Sequence, residues 1–314
     1  MNILITGITG FSGYYLYNKL CEENNEIWGI YKRVSNEHFK NAHMIECDIT
    51  DYNLLCKIVE DIKPDCIYHL AAFVHVGRTD LGVEEMFHTN VIGTVNLLRA
   101  VQNIVQTARI LITGSAEEYG MVKQEEMPIK ECCGLNPRNL YGLSKKLQED
   151  TGMYYYRLYD LDIVFTRTFH YFGPYQPLNF VFADFASQII DIENSSSDYI
   201  DVGNLSAERD FTDIRDVVGA YKLIMEKGRK GEVYNVCSNS LISINEILKK
   251  YLKYAKKEIR INIDENKLRP LDVPRFIGDN HKLKSIGWET KLNIDGTIKE
   301  ILDCWRKNKL GVNK

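Results

Sequence analysis

The sequence predicts an α/β protein: a parallel sheet with helices on both faces, extended by a smaller α/β unit toward its C-terminus. Three observations carry this. Residues 3–5 form a short apolar strand that runs straight into Gly7, Gly10 and Gly13, after which Tyr15, Leu16 and Leu20 recur with helical spacing. Strand and helix patterns then alternate through residue 169, and such alternation builds parallel sheets with right-handed crossovers. Beyond Pro174 the strands become shorter and more scattered among helices. The expected division is a unit of residues 1–172, joined by a returning strand near residues 232–237, and a partly interleaved unit of residues 173–314.

The glycine turn states the chemistry of the first unit. In a strand-turn-helix the first glycine permits the tight turn, and the second lets backbone N–H groups approach a pyrophosphate. The third lets the helix pack against the strand, while the helix N-terminus favours the anion. The spacing here is G-x-x-G-x-x-G, and it follows directly on an apolar strand, which is the context that mechanism requires. Gly7, Thr9, Gly10, Phe11, Ser12 and Gly13 are therefore candidate cofactor-binding residues, and the first unit is expected to be a Rossmann-type dinucleotide-binding domain.

Composition narrows the partners. With 314 residues the chain is long enough for one large α/β domain or two interlocked ones. A net charge of -4 gives no electrostatic case for nucleic acid or membrane. Eight cysteines without a C-x-x-C pair suit free thiols in a reducing compartment, so a cytoplasmic location is expected. No signal peptide or membrane-spanning run is read, and the seven histidines show no metal-ligand spacing, so no metal site is expected.

The second strand, residues 26–31, ends in Lys32 and Arg33. Proteins built for NAD place a carboxylate about twenty residues past the glycines to take the ribose hydroxyls. Basic residues there would attract a 2′-phosphate, which favours NADP(H), with NAD(H) and a merely solvated loop as the alternatives. A third strand, residues 42–46, brings Asp48 and Ile49 to a strand end beside the expected adenine. The fourth, beginning at Cys66, finishes in Leu70, Ala71 and Ala72, where the alanines let a cofactor lie against the backbone. Residues 84–106 are predicted as one long helix, and a fifth strand, residues 109–113, leads to Ser115. Ligands of such sheets bind outside the carboxyl ends of the strands, where Gly7, Asp48, Ala71 and Ser115 all fall.

A helix opening at Tyr141 and continuing to about residue 160 places Tyr141 and Lys145 on one face. A lysine ammonium beside a phenol lowers its pKa, so Tyr141 is expected to exchange protons near neutral pH. Residues 162–169 are the sixth strand. In the second half, residues 180–192 and 213–227 read as helices. Residues 199–202, 232–237 and 259–263 read as strands, and two helical pieces close the chain. The lysine-rich run of residues 249–257 reads as a solvated helix face.

Taken together, Thr6–Gly13, His69-Leu-Ala-Ala72, Asn90-Val-Ile-Gly93, Ser115-x-Glu117-x-Tyr119-Gly120 and Tyr141-x-x-x-Lys145 resemble the extended short-chain dehydrogenase/reductase family. Within it the chain is similar to the nucleotide-sugar branch of GDP-mannose 4,6-dehydratases and GDP-4-keto-6-deoxymannose reductases. Residues 202–213, 231–238 and 268–274 look most like the reductases. The resemblance implies Ser115, Tyr141 and Lys145 as catalytic, with Tyr141 protonating a C4 oxygen, Ser115 hydrogen-bonding it and Lys145 holding the nicotinamide ribose. It implies Arg209, Arg269, Asn179 and Val181 as contacts to the nucleotide of a GDP-sugar or other NDP-sugar. Asn90 reads as either structural or catalytic, and a homodimer through a four-helix bundle is implied.

Two departures bear on the reaction. Dehydratases of this branch carry an acidic or hydroxylic residue followed by Glu after the serine, and this chain has Ala116-Glu117. Glu117 could still take a proton, but Ala116 has no polar group to help expel a hydroxyl. His170 stands where the family usually has Asn, reading as a substitute in the sugar pocket or as altered sugar specificity, a heptose included. The reading reached is NADPH-dependent reduction of the C4 ketone of GDP-4-keto-6-deoxy-D-mannose to GDP-6-deoxy-D-mannose (GDP-D-rhamnose). Its rivals are GDP-mannose 4,6-dehydration, related NDP-sugar C4 redox chemistry, and a non-catalytic nucleotide-sugar sensor.

Overall fold

A computed structural model describes residues 1–33, 38–74, 82–178, 180–268 and 273–311. β1 (Asn2–Thr6) turns through the glycines into α1 (Phe11–Leu20), followed by β2 (Glu26–Tyr31), β3 (Ala42–Glu46), α2 (Tyr52–Ile62) and β4 (Cys66–His69). α3 (Val83–Phe87) continues through a π-helical turn (His88–Ile92) into α4 (Gly93–Ile104). Next come β5 (Arg109–Ser115), α5 (Leu140–Tyr159), β6 (Ile163–Thr168) and β7 (His170–Phe172). The remainder is α6 (Val181–Glu193), β8 (Tyr199–Val202), β9 (Glu208–Asp213), α7 (Ile214–Lys227), β10 (Val233–Val236) and β11 (Leu241–Ser243). α8 (Ile244–Leu252), β12 (Arg260–Ile263), β13 (Arg275–Phe276), α9 (His281–Ser285) and α10 (Ile294–Gly311) complete it.

Seven strands form one parallel sheet in the order β10-β6-β5-β4-β1-β2-β3. Because side chains alternate along a strand, β1 feeds both faces at once. Ile3 and Ile5 join Leu16, Leu20, Val217 and Tyr221 under α1 and α7, whereas Leu4 joins Ile67, Leu97 and Ile110 under α2 and α4. Each such fully buried Leu or Ile contributes about 1.5–3 kcal/mol relative to exposure. Strand order reverses between β1 and β4, which opens a crevice at the carboxyl ends of those strands.

The expected return of residues 232–237 to this sheet is found as β10, parallel to β6. A second sheet joins β11, β9 and β13, with β7 also paired to β9, and β12 pairs with β8. Phe182, Ile189, Leu248, Tyr251 and Ile301 pack α6, α8 and α10 into a separate core. One expectation differs: the long helix of residues 84–106 is interrupted by the π-turn at His88–Ile92. β9 occupies a segment with no apolar alternation, where the sequence predicts no strand.

Candidate active site

Close packing shapes the turn after β1. Gly7 has φ 73°, and a Cβ there would come within 2.8 Å of the Ala71 backbone, so the ends of β1 and β4 touch only because this residue is glycine. A Cβ on Gly13 would meet the carbonyl oxygens of Gly7 and Ile8 at 2.4 Å. Gly10 differs: its Cβ would meet only the Gly7 oxygen, at 3.2 Å, and would otherwise fill an open cradle. Gly10 is also the N-cap of α1 and has no side chain to cap the first turn, so the helix start at Phe11 and Ser12 can present N–H groups to an anion. Thr9 flanks the cradle, half-buried. Phe11 stacks on Tyr171 with ring centroids 5.9 Å apart, and the Ser12 hydroxyl donates to the Tyr171 hydroxyl at 3.1 Å. Leu70, Ala71 and Ala72 follow β4, all partly exposed.

Beside the cradle, Lys32 lies 2.9 Å from both Asp48 and Glu85, and Arg33 is 3.6 Å from Glu85. Burial pushes the Asp48 carboxyl up, but hydrogen bonds from Lys32 and Thr50 outweigh it and hold the group below its usual range. Ile49 is buried, and a Cβ on Gly93 would collide with its side chain at 2.4 Å.

Ser115 closes β5 and caps the short turn that follows. Its Oγ accepts from the Glu117 N–H at 3.2 Å, and its own N–H donates to Glu118 Oε1 at 2.6 Å. Asn139 caps α5 by accepting from the Gly142 N–H at 2.7 Å and also donates to Glu117 Oε2 at 2.7 Å, with Arg138 4.0 Å from the same oxygen. The first turn of α5 thus comes beside Ser115, whose hydroxyl lies near enough to the Tyr141 phenol to favour its ionised form.

The expected lowering of the Tyr141 phenol by Lys145 is not found. Burial pushes the phenol well above its ordinary value, Tyr171, Glu118 and Glu117 push the same way, and the Ser115 hydroxyl only partly opposes them. Lys145 instead donates from Nζ to Gln148 Oε1. Burial pulls its ammonium down to about 8, against the opposing charge of Glu118. A phenol so held is protonated at neutral pH, which suits it to giving a proton rather than taking one.

Asn90 lies in the π-turn and acts as a clamp. Its Oδ1 accepts from the Phe73 N–H at 2.7 Å, while its amide donates to the Phe73 carbonyl at 3.1 Å and to Ser144 Oγ at 2.9 Å. The segment after β4 is thereby tied to α5.

On the other side of the crevice, the His170 ring lies 5.5 Å from that of Phe211 and 6.1 Å from that of Phe276, centroid to centroid. Arg209, 9% exposed, donates to the Glu208 carbonyl at 2.8 Å. Val181 is the first residue of α6. Asn179 and Arg269 lie outside the described residues.

Four residues at this site were not read from the sequence. Glu118 was legible as the last member of a Ser-x-x-Glu capping box, and Asn139 as an N-cap residue two positions before Tyr141. Tyr171 and Gln148 carry no such local signal. Among the described residues no helix is long and apolar enough to cross a membrane, and no group of three or more His, Cys, Asp or Glu side chains could hold a metal ion.

A parallel sheet of this order, with a glycine cradle at its switch point, is the architecture of a dinucleotide-binding protein, and its relatives make the chain an NAD(P)-dependent nucleotide-sugar enzyme of the short-chain dehydrogenase/reductase type. More particularly, the chain belongs to the GDP-mannose 4,6 dehydratase family, whose model matches residues 4–301. It is 28% identical to the GDP-6-deoxy-D-mannose reductase of Pseudomonas aeruginosa over 305 residues, 96% of either chain. It is 27% identical to the human GDP-mannose 4,6 dehydratase, across 95% of this chain and 90% of that one. Among solved structures, that of RMD from Pseudomonas aeruginosa complexed with NADPH superposes with a TM-score of 0.86 at 26% identity, covering 98% of this chain and 100% of the other.

Proposed function

We propose that the protein reduces the C4 ketone of GDP-4-keto-6-deoxy-D-mannose with NADPH, giving GDP-6-deoxy-D-mannose. The observation that carries this reading lies at the end of β5. Ala116, where a dehydratase needs a polar group, is 3% exposed and packs among Tyr119, Ile129 and Phe169. Its neighbour Glu117 is held by Asn139. Neither side chain is arranged to expel a hydroxyl, whereas the protonated Tyr141 phenol suits the delivery of a proton to an oxygen that gains charge as the ketone is reduced.

The bound reduced nicotinamide would supply a hydride to C4. Ser115 donates a hydrogen bond to the C4 oxygen and Tyr141 gives it a proton, converting ketone to alcohol. Lys145 holds the nicotinamide ribose. The Gly7–Gly13 turn and the N-terminus of α1 hold the pyrophosphate, Ala71 and Ala72 leave room for the cofactor, and Lys32 and Arg33 favour the 2′-phosphate of NADPH over NADH. Arg209 and Arg269 bind the phosphates and ribose of the sugar nucleotide with forked guanidinium donors, and His170, Asn179 and Val181 line its pocket. The protein works as a cytoplasmic homodimer, with the cofactor on residues 1–172 and the sugar nucleotide on residues 173–314.

Dehydration of GDP-mannose is the second reading, favoured by the retained Glu117 and by the comparable identity to the human dehydratase. Product mass separates the two. Incubation of GDP-4-keto-6-deoxy-D-mannose with excess NADPH should consume the cofactor stoichiometrically and add two hydrogens to the sugar nucleotide. Loss of water from GDP-mannose without net cofactor use would establish the dehydratase instead.

A further inference from the structure

A buried polar chain runs from β1 to Lys145, and its donors and acceptors can be assigned at every link. The Thr94 hydroxyl donates to the Asn90 carbonyl at 2.7 Å, so its oxygen can only accept from its other neighbours. These are Gln148 Nε2 at 3.0 Å and His69 Nε2 at 2.9 Å. His69 therefore carries its proton on Nε2, and its Nδ1 accepts from the Thr6 hydroxyl at 2.8 Å. Thr6 in turn accepts from the Ala71 N–H at 3.2 Å, on the backbone that Gly7 touches. With Gln148 Nε2 given to Thr94, Oε1 is left to accept from Lys145 Nζ. Turning the amide over would set its NH2 against the lysine amine and a carbonyl oxygen against an oxygen with no hydrogen to offer. Gln148, Thr94, His69 and Thr6 are all fully buried, so water cannot repair either contact.

We propose that Gln148 is a positioning residue for Lys145, its amide locked by Thr94 and His69 so that one carbonyl oxygen always faces the ε-amino group. The proposal rests on the role given to Lys145 above. Glu118 is the titratable carboxyl that faces Lys145 from the turn after β5, pushed well up by burial and then by Glu149, with Arg167 opposing; His69 faces Lys145 from β4, and Tyr141 shares its helix. Burial, and secondarily the Lys145 charge, keep His69 down at about 3, hence neutral, so the chain adds no competing charge. A carbonyl acceptor stabilises an ammonium more than a neutral amine, so Gln148 favours the charged form.

The test is the titration of Lys145 in the full-length protein without substrate, by NMR of 13Cε-labelled lysine, the signal being assigned by its loss in Lys145→Arg. Gln148→Leu should lower the Lys145 midpoint by about 1 pH unit, and Gln148→Glu should raise it by at least as much. Thr94→Val, which unlocks the amide and leaves both partners in place, should lower it by less; it also serves if Gln148→Leu does not fold. The alkaline limb of kcat should move in the same directions. A side chain that merely fills space would alter stability and leave the midpoint unchanged, and an unmoved midpoint in the folded variants overturns the proposal. If the parent fails to turn over the proposed ketone while the midpoints move as expected, the proposed reaction fails and the positioning role stands.

Discussion

At the scale of single residues, the proposed preference for NADPH rests on charge at the end of β2. Lys32 is held by Asp48 first and Glu85 second, and both keep its ammonium above the usual range. It therefore neutralises the two carboxylates that could otherwise accept from ribose hydroxyls or repel a phosphate. Arg33, with a side chain 77% exposed, is the more open of the two cations. Replacing both, as Lys32→Met with Arg33→Gln, removes the attraction and bares the acids. NADPH affinity should fall about 10-fold or more while NADH affinity changes by less than about 3-fold, read by fluorescence titration. Equal losses would remove the case for NADPH. The residues of this site were legible in unequal measure. Ser115, Tyr141 and Lys145 could be picked out as candidates in the sequence because residue type, a strand-end position for Ser115 and a four-residue helical spacing for the other two coincide. The partner of Lys145 could not, because a tyrosine four residues before it is a stronger local signal than a glutamine three residues after it, and burial decides between them.

At the scale of elements, α5 is placed by its first turn. Asn139 accepts from the Gly142 N–H and donates to Glu117, so one side chain both starts the helix that carries Tyr141 and ties it to the turn after Ser115. Asn139→Ala should cost about 1 kcal/mol and lower the thermal midpoint by about 1–2 °C, whereas Asn139→Ser keeps a capping oxygen and should stay within about 0.5 kcal/mol of the parent. Equal losses in calorimetry would mean that the Glu117 contact, and not the cap, sets the stability of this turn. Elements whose apolar residues are the ones they bury, such as β1 and α1, could be read from the sequence because the pattern is the packing. β9 could not: Arg209, Asp210, Thr212 and Asp213 are buried polar residues. Asp210 is satisfied from afar, by Ser238, Asn239 and Gly278. The π-turn is likewise set by what Asn90 clamps, which no periodicity records.

At the scale of the whole molecule, the outer face of α5 is the feature the single chain leaves open. Leu140, Leu143, Leu147, Tyr154 and Leu158 are all exposed. At 3.6 residues per turn they fall on one face about 60° wide, a stripe that a helix in water does not keep without a partner. On the same geometry Tyr141 and Lys145 lie about 160–200° round from Leu143, so a partner on the stripe leaves the crevice open. Pairing of α5 and α4 with the same helices of a second copy would cover the leucines by a two-fold arrangement, in which each substitution counts twice. Leu143→Glu combined with Leu147→Glu would place four carboxylates in that interface and should convert the protein to monomers at micromolar concentration in sedimentation velocity, with NADPH binding retained. A double variant that still sediments as a dimer would move the interface elsewhere. A parent that is already monomeric would leave the stripe to a different partner and dissolve the link between assembly and the helix that bears Tyr141.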